Sequence, residues 1–146
     1  MSDQDKKQNP FINRNPLETY RKTEVNTANP ETILLMMYAG AMRFIKKAID
    51  AAEKGDIAER GRQIAKTQEI VTELRSTLNF EVGGEIARTL ELLYAYISQR
   101  LGQAGLENNI DHLKEVLGIL TTLNEGWEQA VANIRKDRAK TPTLEK

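Results

Sequence analysis

The chain has 146 residues, of which 40% are hydrophobic, and this is enough for one ordinary globular domain with its own core. Lysine and arginine total 21, as do aspartate and glutamate, so a formal net charge of zero gives no electrostatic reason to expect nucleic acid or an anionic membrane as the main partner. The absence of cysteine excludes disulfides and thiolate metal sites.

The N-terminal residues are polar, contain Pro10 and show no hydrophobic period, so residues 1–15 are predicted to be a disordered tail. They lack the apolar stretch of a signal peptide. The longest apolar run, Ile33 to Met42, is far shorter than the roughly 20 residues needed to cross a bilayer. We therefore expect a cytoplasmic protein that does not insert into a membrane.

A short helix is predicted to follow the tail, because Pro16 suits the first helical position. Leu17 and Tyr20 would then lie three residues apart on one side. So short a helix is not stable alone in water, so we expect this segment to dock on the rest of the domain.

The first long helix is predicted from Pro30 to Lys54, with Asn29 as its N-cap and Gly55 as its C-terminal stop. Its apolar residues cover an arc of about 200°, whereas a surface helix needs only a little more than ~100°. Either neighbouring helices on two sides cover the excess, or a mobile segment or partner covers it. The arc is formed by Ile33, Leu34, Leu35, Met37, Tyr38, Ala41, Met42, Phe44, Ile45, Ala48, Ile49, Ala51 and Ala52.

Three further helices are predicted from about residue 57 to 79, from the Gly83-Gly84 turn to about 104, and from about 110 to 136. Their inward positions are Ile57, Gly61, Ile64, Gln68, Val71, Leu74 and Leu78, then Ile86, Leu90, Leu93, Tyr94, Ile97 and Leu101, then Ile110, Leu113, Leu117, Leu120, Asn124, Trp127, Val131 and Ile134. Ile70 lies outside this set. The last helix also carries a second apolar row of Val116, Ile119, Leu123 and Ala130.

Four helices of similar length joined by short connections predict an all-α fold, an antiparallel up-down four-helix bundle with a short N-terminal docking helix and disordered ends. The bundle domain with its N-terminal segment should span residues 16–136. Residues 137–146 are charged, include Pro142 and are expected to form a flexible tail.

The residues give no support for an enzyme, a metal site or another cofactor. A di-iron bundle needs Glu-x-x-His pairs, but the only histidine is His112 and Asn109 lies three residues before it. Nucleophilic catalysis lacks a cysteine and an arranged base. A histidine phosphotransfer protein remains an alternative resting on His112 alone, and a structural or adaptor bundle is another.

Several motifs together resemble the flagellar secretion chaperone FliS family over about residues 15–135. One begins at Tyr20 and reads Tyr-x4-Val-x-Thr-Ala-x-Pro-Glu-x3-Leu-Met-x-Tyr-x-Gly-Ala. The others are Gly83-Gly84-Glu85-Ile86-Ala87, Leu93-Tyr94-Ala95-Tyr96 followed by Arg100-Leu101, and Gly126-Trp127-Glu128-Gln129.

The resemblance implies a cytosolic export chaperone that binds the disordered C-terminal segment of flagellin. It would prevent premature polymerisation and assist delivery to the flagellar type III export apparatus. Export-apparatus components and other flagellar regulators are further partner candidates. In the family a short N-terminal segment can cover part of the binding surface, and Leu17 and Tyr20 match it. The expected partner-binding residues are Leu17, Tyr20, Val25, Ile33, Met37, Tyr38, Phe44, Val116, Ile119 and Leu123.

The chain departs from the family pattern at Asn29, Ala39, Gln99 and Gly105. Asn29 caps a helix as well as the usual serine. Ala39 and Gln99 replace the family's usual polar or charged side chains, so a partner contact that depends on those groups is in doubt.

Overall fold

A computed structural model describes residues 29–140 and confirms the all-α four-helix bundle. The helices are α1 (Pro30–Lys54), α2 (Ile57–Ser76), α3 (Phe80–Glu107) and α4 (Ile110–Lys140). α1 packs against α2 and α4, and α3 packs against the same two helices, so α1 and α3 lie diagonally across the bundle. The short connections make successive helices antiparallel. The expected tail at 1–15, the short helix at Pro16 and the residues Leu17, Tyr20 and Val25 lie outside the described residues.

Side-chain caps fix where the helices begin. The Thr32 backbone N–H donates to Asn29 Oδ1 over 3.1 Å, as predicted for α1. The Glu59 N–H donates to Asp56 Oδ1 over the same distance and caps α2. Asn109 Oδ1 accepts from the first turn of α4 in the same way. Gly55 ends α1 in the left-handed conformation, with φ 77°. These local signals set the helix starts.

The glycine pair breaks α3 instead of preceding it. Asn79 accepts hydrogen bonds from two backbone N–H groups and caps a first turn that starts at Phe80. Gly84 has φ 52° and ψ −122°, a conformation open essentially to glycine, and a Cβ on Gly83 would lie 2.9 Å from the Ala87 Cβ. The predicted turn is therefore a bend inside α3, and α2 ends at Ser76, three residues before the predicted 79.

Two other predicted helix ends are wrong. α3 continues past Gly105 to Glu107 and ends at Asn108, which has φ 54°. Arg60 of α2 is buried and holds this end, because its guanidinium donates to the Gly105 carbonyl over 3.0 Å and to Asn108 Oδ1.

α4 also runs beyond the predicted 136, to Lys140. Arg135 donates to Thr32 Oγ1 over 2.6 Å, and Arg138 pairs with Glu31, so the start of α1 holds the last turns of α4. The Arg138 hydrogen bond also lowers the pKa of the Glu31 carboxyl.

The centre of the core is aromatic. Tyr38 of α1 and Tyr94 of α3 are fully buried, and their hydroxyls lie 2.5 Å apart across the diagonal of the bundle. The Trp127 ring of α4 lies at a centroid distance of 6.4 Å from the Tyr38 ring. Three helices therefore meet at Tyr38.

Most predicted inward positions are buried or half-buried, and the exposed ones lie mainly near helix ends. Ile70 is buried although it lies outside the predicted stripe. Ile57, Ile86 and Ile134 are exposed because they lie near helix ends, where few of the residues in the described part of the chain surround the helix. Gly61 of α2 is also exposed. None of α1 to α4 is long and apolar enough to cross a membrane.

The buried hydroxyl pair predicts a non-additive response to mutation. Tyr38→Phe leaves the Tyr94 hydroxyl buried without its partner and should cost ~1–3 kcal/mol of unfolding free energy. Tyr38→Phe with Tyr94→Phe should cost less than the sum of the single changes, because both polar groups are gone. Urea unfolding of the parent, the two single variants and the double variant measures this. Additive losses of unfolding free energy would contradict a hydrogen bond between the Tyr38 and Tyr94 hydroxyls.

The same pair predicts a loss of stability at alkaline pH. Burial raises the pKa of the Tyr38 and Tyr94 hydroxyls above the ordinary value near 10. Above pH ~10 the unfolded chain therefore binds fewer protons than the folded one, and the free energy of unfolding falls by up to ~1.4 kcal/mol per pH unit and per tyrosine. Below that pH the contribution is constant. The unfolding free energy of the double phenylalanine variant should fall less steeply between pH 10 and about 11.5, and equal slopes would count against this prediction.

Candidate partner-binding surface

Neighbouring helices cover most of the wide apolar arc of α1. Met37, Tyr38 and Phe44 are buried, because α1 packs on two neighbouring helices and Tyr38 also reaches α3. Phe44 lies under cations, with Lys66 Nζ 5.4 Å from the ring centroid. The expectation that these three side chains form a free face is therefore corrected.

Val116 of α4 is also fully buried and belongs to the core. Its expected place on a surface row is wrong, because α4 packs on both α1 and α3 and turns this position inward. Ile33, by contrast, is half-buried at the start of α1 and packs on the edge of the core.

Ile119 and Leu123 of α4 remain accessible, as predicted for a second apolar row. Both are half-buried, and with Leu93 of α3 they line an open, mainly apolar groove to which Gly118 and Thr122 also contribute. We call this the lateral groove. Because Gly118 has no side chain, a bound segment can approach the α4 backbone closely.

A polar network borders the lateral groove. Tyr96 Oη donates to Glu115 over 2.5 Å, and Arg100 Nε donates to Tyr96 Oη over 2.8 Å. Arg100 also lies 3.1 Å from the Glu115 carboxylate. Apolar side chains with a polar rim are the usual composition of a site that receives an amphipathic segment.

A second apolar depression, the basal groove, lies where α1 and α3 begin. It is lined by Leu34, Leu78, Val82, Ile86, Ala87, Leu90, Tyr94 and Trp127. Val82 and Ile86 are 84% and 69% exposed. Sequence reasoning missed this groove, since it took Ile86 and Trp127 as core and Val82 as part of a turn. The signal available was the break at Gly83-Gly84, which lifts the first turn of α3 away from ideal helix geometry.

The outward face of α1 carries a shallow depression that combines Ala39 and Met42 with basic side chains, Arg43, Lys46 and Lys47. Thr121 Oγ1 of α4 lies 3.7 Å from the Met42 sulfur, so this methionine sits at the edge of the α1 and α4 contact. Methionine adapts to varied contacts.

His112 does not form a recognisable reactive centre. Its Nε2 lies 3.3 Å from the Asn109 amide and 3.7 Å from the Glu107 carboxylate, in the first turn of α4. Within residues 29–140, no three histidine, aspartate or glutamate side chains are grouped to hold a metal ion. The apolar lining of the grooves is suited to binding.

Comparison with known proteins supports one family. The family model for the flagellar protein FliS matches residues 13–135. The flagellar secretion chaperone FliS of Bacillus subtilis (strain 168) is 37% identical over 125 residues, covering 86% of this chain and 92% of that protein. Its counterpart from Campylobacter jejuni (strain 81116) is 35% identical over 114 residues, covering 78% and 89% respectively.

A solved structure, described as the crystal structure of a flagellar chaperone from bacteria, matches with a TM-score of 0.68. It covers 80% of this chain and 94% of that one at 19% identity, which supports the fold alone. The family model and the sequence relatives cover most of the chain, and the chain therefore belongs to the FliS family of flagellar secretion chaperones.

Proposed function

We propose that this FliS-family chaperone binds the C-terminal segment of flagellin in the cytosol, keeps it from polymerising early and assists its delivery to the export apparatus. The observation that carries the proposal is the accessible lateral groove, with Ile119 and Leu123 half-buried beside Leu93 in a chain of this family. Formal neutrality of the chain is consistent with a mainly apolar mode of recognition.

The energetics favour an unstructured client that becomes helical on the chaperone. A disordered segment loses conformational entropy on binding, so it needs long apolar contacts in return. The lateral groove lies between α3 and α4, the basal groove lies where α3 begins, and a client that extends along the bundle contacts both. Ile33 stands at the start of α1 on the edge of the core and extends this surface.

The N-terminal segment is proposed to be a placeholder for the client. Leu17, Tyr20 and Val25 would occupy part of the apolar surface in the free protein and leave when flagellin binds. The apparent affinity for flagellin is then reduced by the fraction of molecules in which the surface is open. Four of the expected partner-binding residues are buried and would support this surface from the core: Met37, Tyr38, Phe44 and Val116.

The lateral groove predicts which substitutions weaken client binding. The full chain and a peptide of the flagellin C-terminus from the same organism should form a one-to-one complex on a sizing column and by calorimetry. Ile119→Ser with Leu123→Ser should lower the affinity by at least ~10-fold, since each side chain loses apolar contact worth on the order of 1 kcal/mol.

Ile49→Ser with Leu117→Ser is the matched control, because both side chains are likewise half-buried on the edge of the core and line neither groove. It should leave the affinity unchanged. Equal affinities for all variants would reject the lateral groove, and a complete absence of complex with the parent chain would reject the flagellin proposal and favour an adaptor role.

Weakening the proposed placeholder segment should raise the affinity for flagellin, whereas the groove substitutions should lower it. Leu17→Ala with Tyr20→Ala should raise the apparent affinity for the flagellin peptide by several-fold, because the competing segment is weakened. The midpoint of thermal unfolding should change little. Leu120→Ala, in the core, serves as the contrast and should cost ~2–5 kcal/mol of stability. An unchanged affinity, or a stability loss as large as that of Leu120→Ala, is incompatible with a placeholder.

A further inference from the structure

Gly118 lines the lateral groove at a position where the described fold does not require glycine. It does not have the positive φ that Gly55 and Gly84 adopt. A Cβ added at Gly118 would meet no atom within 4 Å, whereas one on Gly83 would contact Ala87. Glycine inside a helix lowers the stability of the helix relative to alanine. Neither backbone conformation nor packing within the described residues therefore accounts for Gly118.

Other exposed glycines of the helices share these properties but line neither groove. Gly61 of α2, Gly102 of α3 and Gly126 of α4 would also leave an added Cβ without a contact. The absence of a side chain is therefore insufficient to mark a site. Gly118 differs because it shares a groove with three half-buried apolar side chains, namely Leu93, Ile119 and Leu123.

Polar contacts between α3 and α4 hold the lateral groove in shape at one end. Tyr96 of α3 donates to the Glu115 carboxylate over 2.5 Å, and the Arg100 guanidinium lies 3.1 Å from the same carboxylate. Glu115 lies three residues before Gly118, so α3 and α4 are held together beside the glycine before a client binds. A preformed groove loses less conformational freedom on binding than one that the client has to open.

The apolar lining continues along the same two helices beyond the lateral groove. Leu90 of α3 and Trp127 of α4 line the basal groove, one helical turn from Leu93 and Leu123 respectively. From Gly118 to Trp127, α4 advances nine residues, or about 14 Å at ~1.5 Å per residue. A client helix of about three turns, laid along α4, therefore has Gly118 at one end and Trp127 at the other.

We propose that Gly118 is a specificity-determining residue, because the client helix crosses α4 at this point with a small side chain of glycine, alanine or serine. This inference rests on the proposed binding of flagellin in the lateral groove and adds the residue type that the groove accepts. The distance between two packed helices depends on the side chains at their contact, so small ones allow a close approach. A close crossing brings the apolar residues of the client onto Ile119 and Leu123.

Substitutions at Gly118 distinguish a close crossing from ordinary apolar contact. If the client lay at a distance, Gly118→Leu would add apolar surface to the groove and raise the affinity for the flagellin C-terminal peptide. With a close crossing, the leucine occupies the place of the client and lowers the affinity by at least ~10-fold, as overpacking of a tight contact does. Gly118→Ala should lower the affinity by a smaller factor. Calorimetry with the full chain measures these affinities, and an unchanged or raised affinity for Gly118→Leu overturns the proposal.

Gly61→Ala and Gly61→Leu are the matched controls, because Gly61 is an exposed helical glycine outside both grooves. Alanine at either position should raise the midpoint of thermal unfolding by ~2–4 °C, since it favours the helix. Only the Gly118 variants should lose affinity for the peptide. An equal loss of affinity at both positions would contradict the proposal, as would a lower thermal midpoint for Gly118→Ala.

Substitutions in the client identify the small residue that crosses α4. Each glycine, alanine and serine of the flagellin peptide is changed to leucine in turn, and one of these changes should weaken binding to the parent chain by at least ~10-fold. The same change should have a much smaller effect on binding to Gly118→Leu, because both substitutions act on one contact. Independent effects at every peptide position would reject the close crossing.

The proposed function and the close crossing fail in different ways. The absence of any complex between the parent chain and the flagellin peptide rejects both. A parent chain that binds the peptide no more tightly than Gly118→Leu does rejects the close crossing alone.

Discussion

The structure depends on the burial of Tyr38 of α1 between side chains of α3 and α4. The Tyr38 hydroxyl reaches Tyr94 across the diagonal, and the Trp127 ring approaches the Tyr38 ring from α4. A buried hydroxyl needs a partner, so this contact fixes the depth at which α1 sits and the rotation of α3 opposite it. Because other helices cover most of the apolar side chains of α1, the exposed apolar residues of the described part of the chain lie mainly on α3 and α4.

Local signals in the sequence predicted the framework well. Asn29, Asp56, Gly55 and Asn109 mark helix boundaries through groups only a few residues away, and each behaves in the structure as its chemistry indicates. The central positions of each predicted stripe are also buried or half-buried. Such features could be predicted because they depend on the chain within one or two turns, where sequence spacing and spatial distance are equivalent.

Features that depend on another helix could not be predicted in the same way. The end of α3 lies beyond Gly105 because Arg60, 45 residues away in the chain, binds that carbonyl. The last turns of α4 persist because Arg135 and Arg138 bind the start of α1. For the candidate site, Ile119 and Leu123 are half-buried and Val116 is fully buried, and the partner contacts of the first two stay a prediction. A second apolar row on a helix is either surface or second core contact, and only the position of the next helix decides between them.

The helices therefore differ in how much of their apolar surface the core covers. α1 has the widest apolar arc and exposes little of it, whereas α3 has fewer apolar residues and leaves Leu92 and Leu106 outside the core. The break at Gly84 contributes to this division, because it changes the direction of the chain before α3 enters the bundle and leaves Val82 and Ile86 at the base. α3 packs along α2 and α4 and reaches α1 through the Tyr38 and Tyr94 hydroxyls, so its remaining side faces away from the core. Leu92 and Leu106 lie far apart along the helix, and single exposed apolar residues of this kind are ordinary on a protein surface.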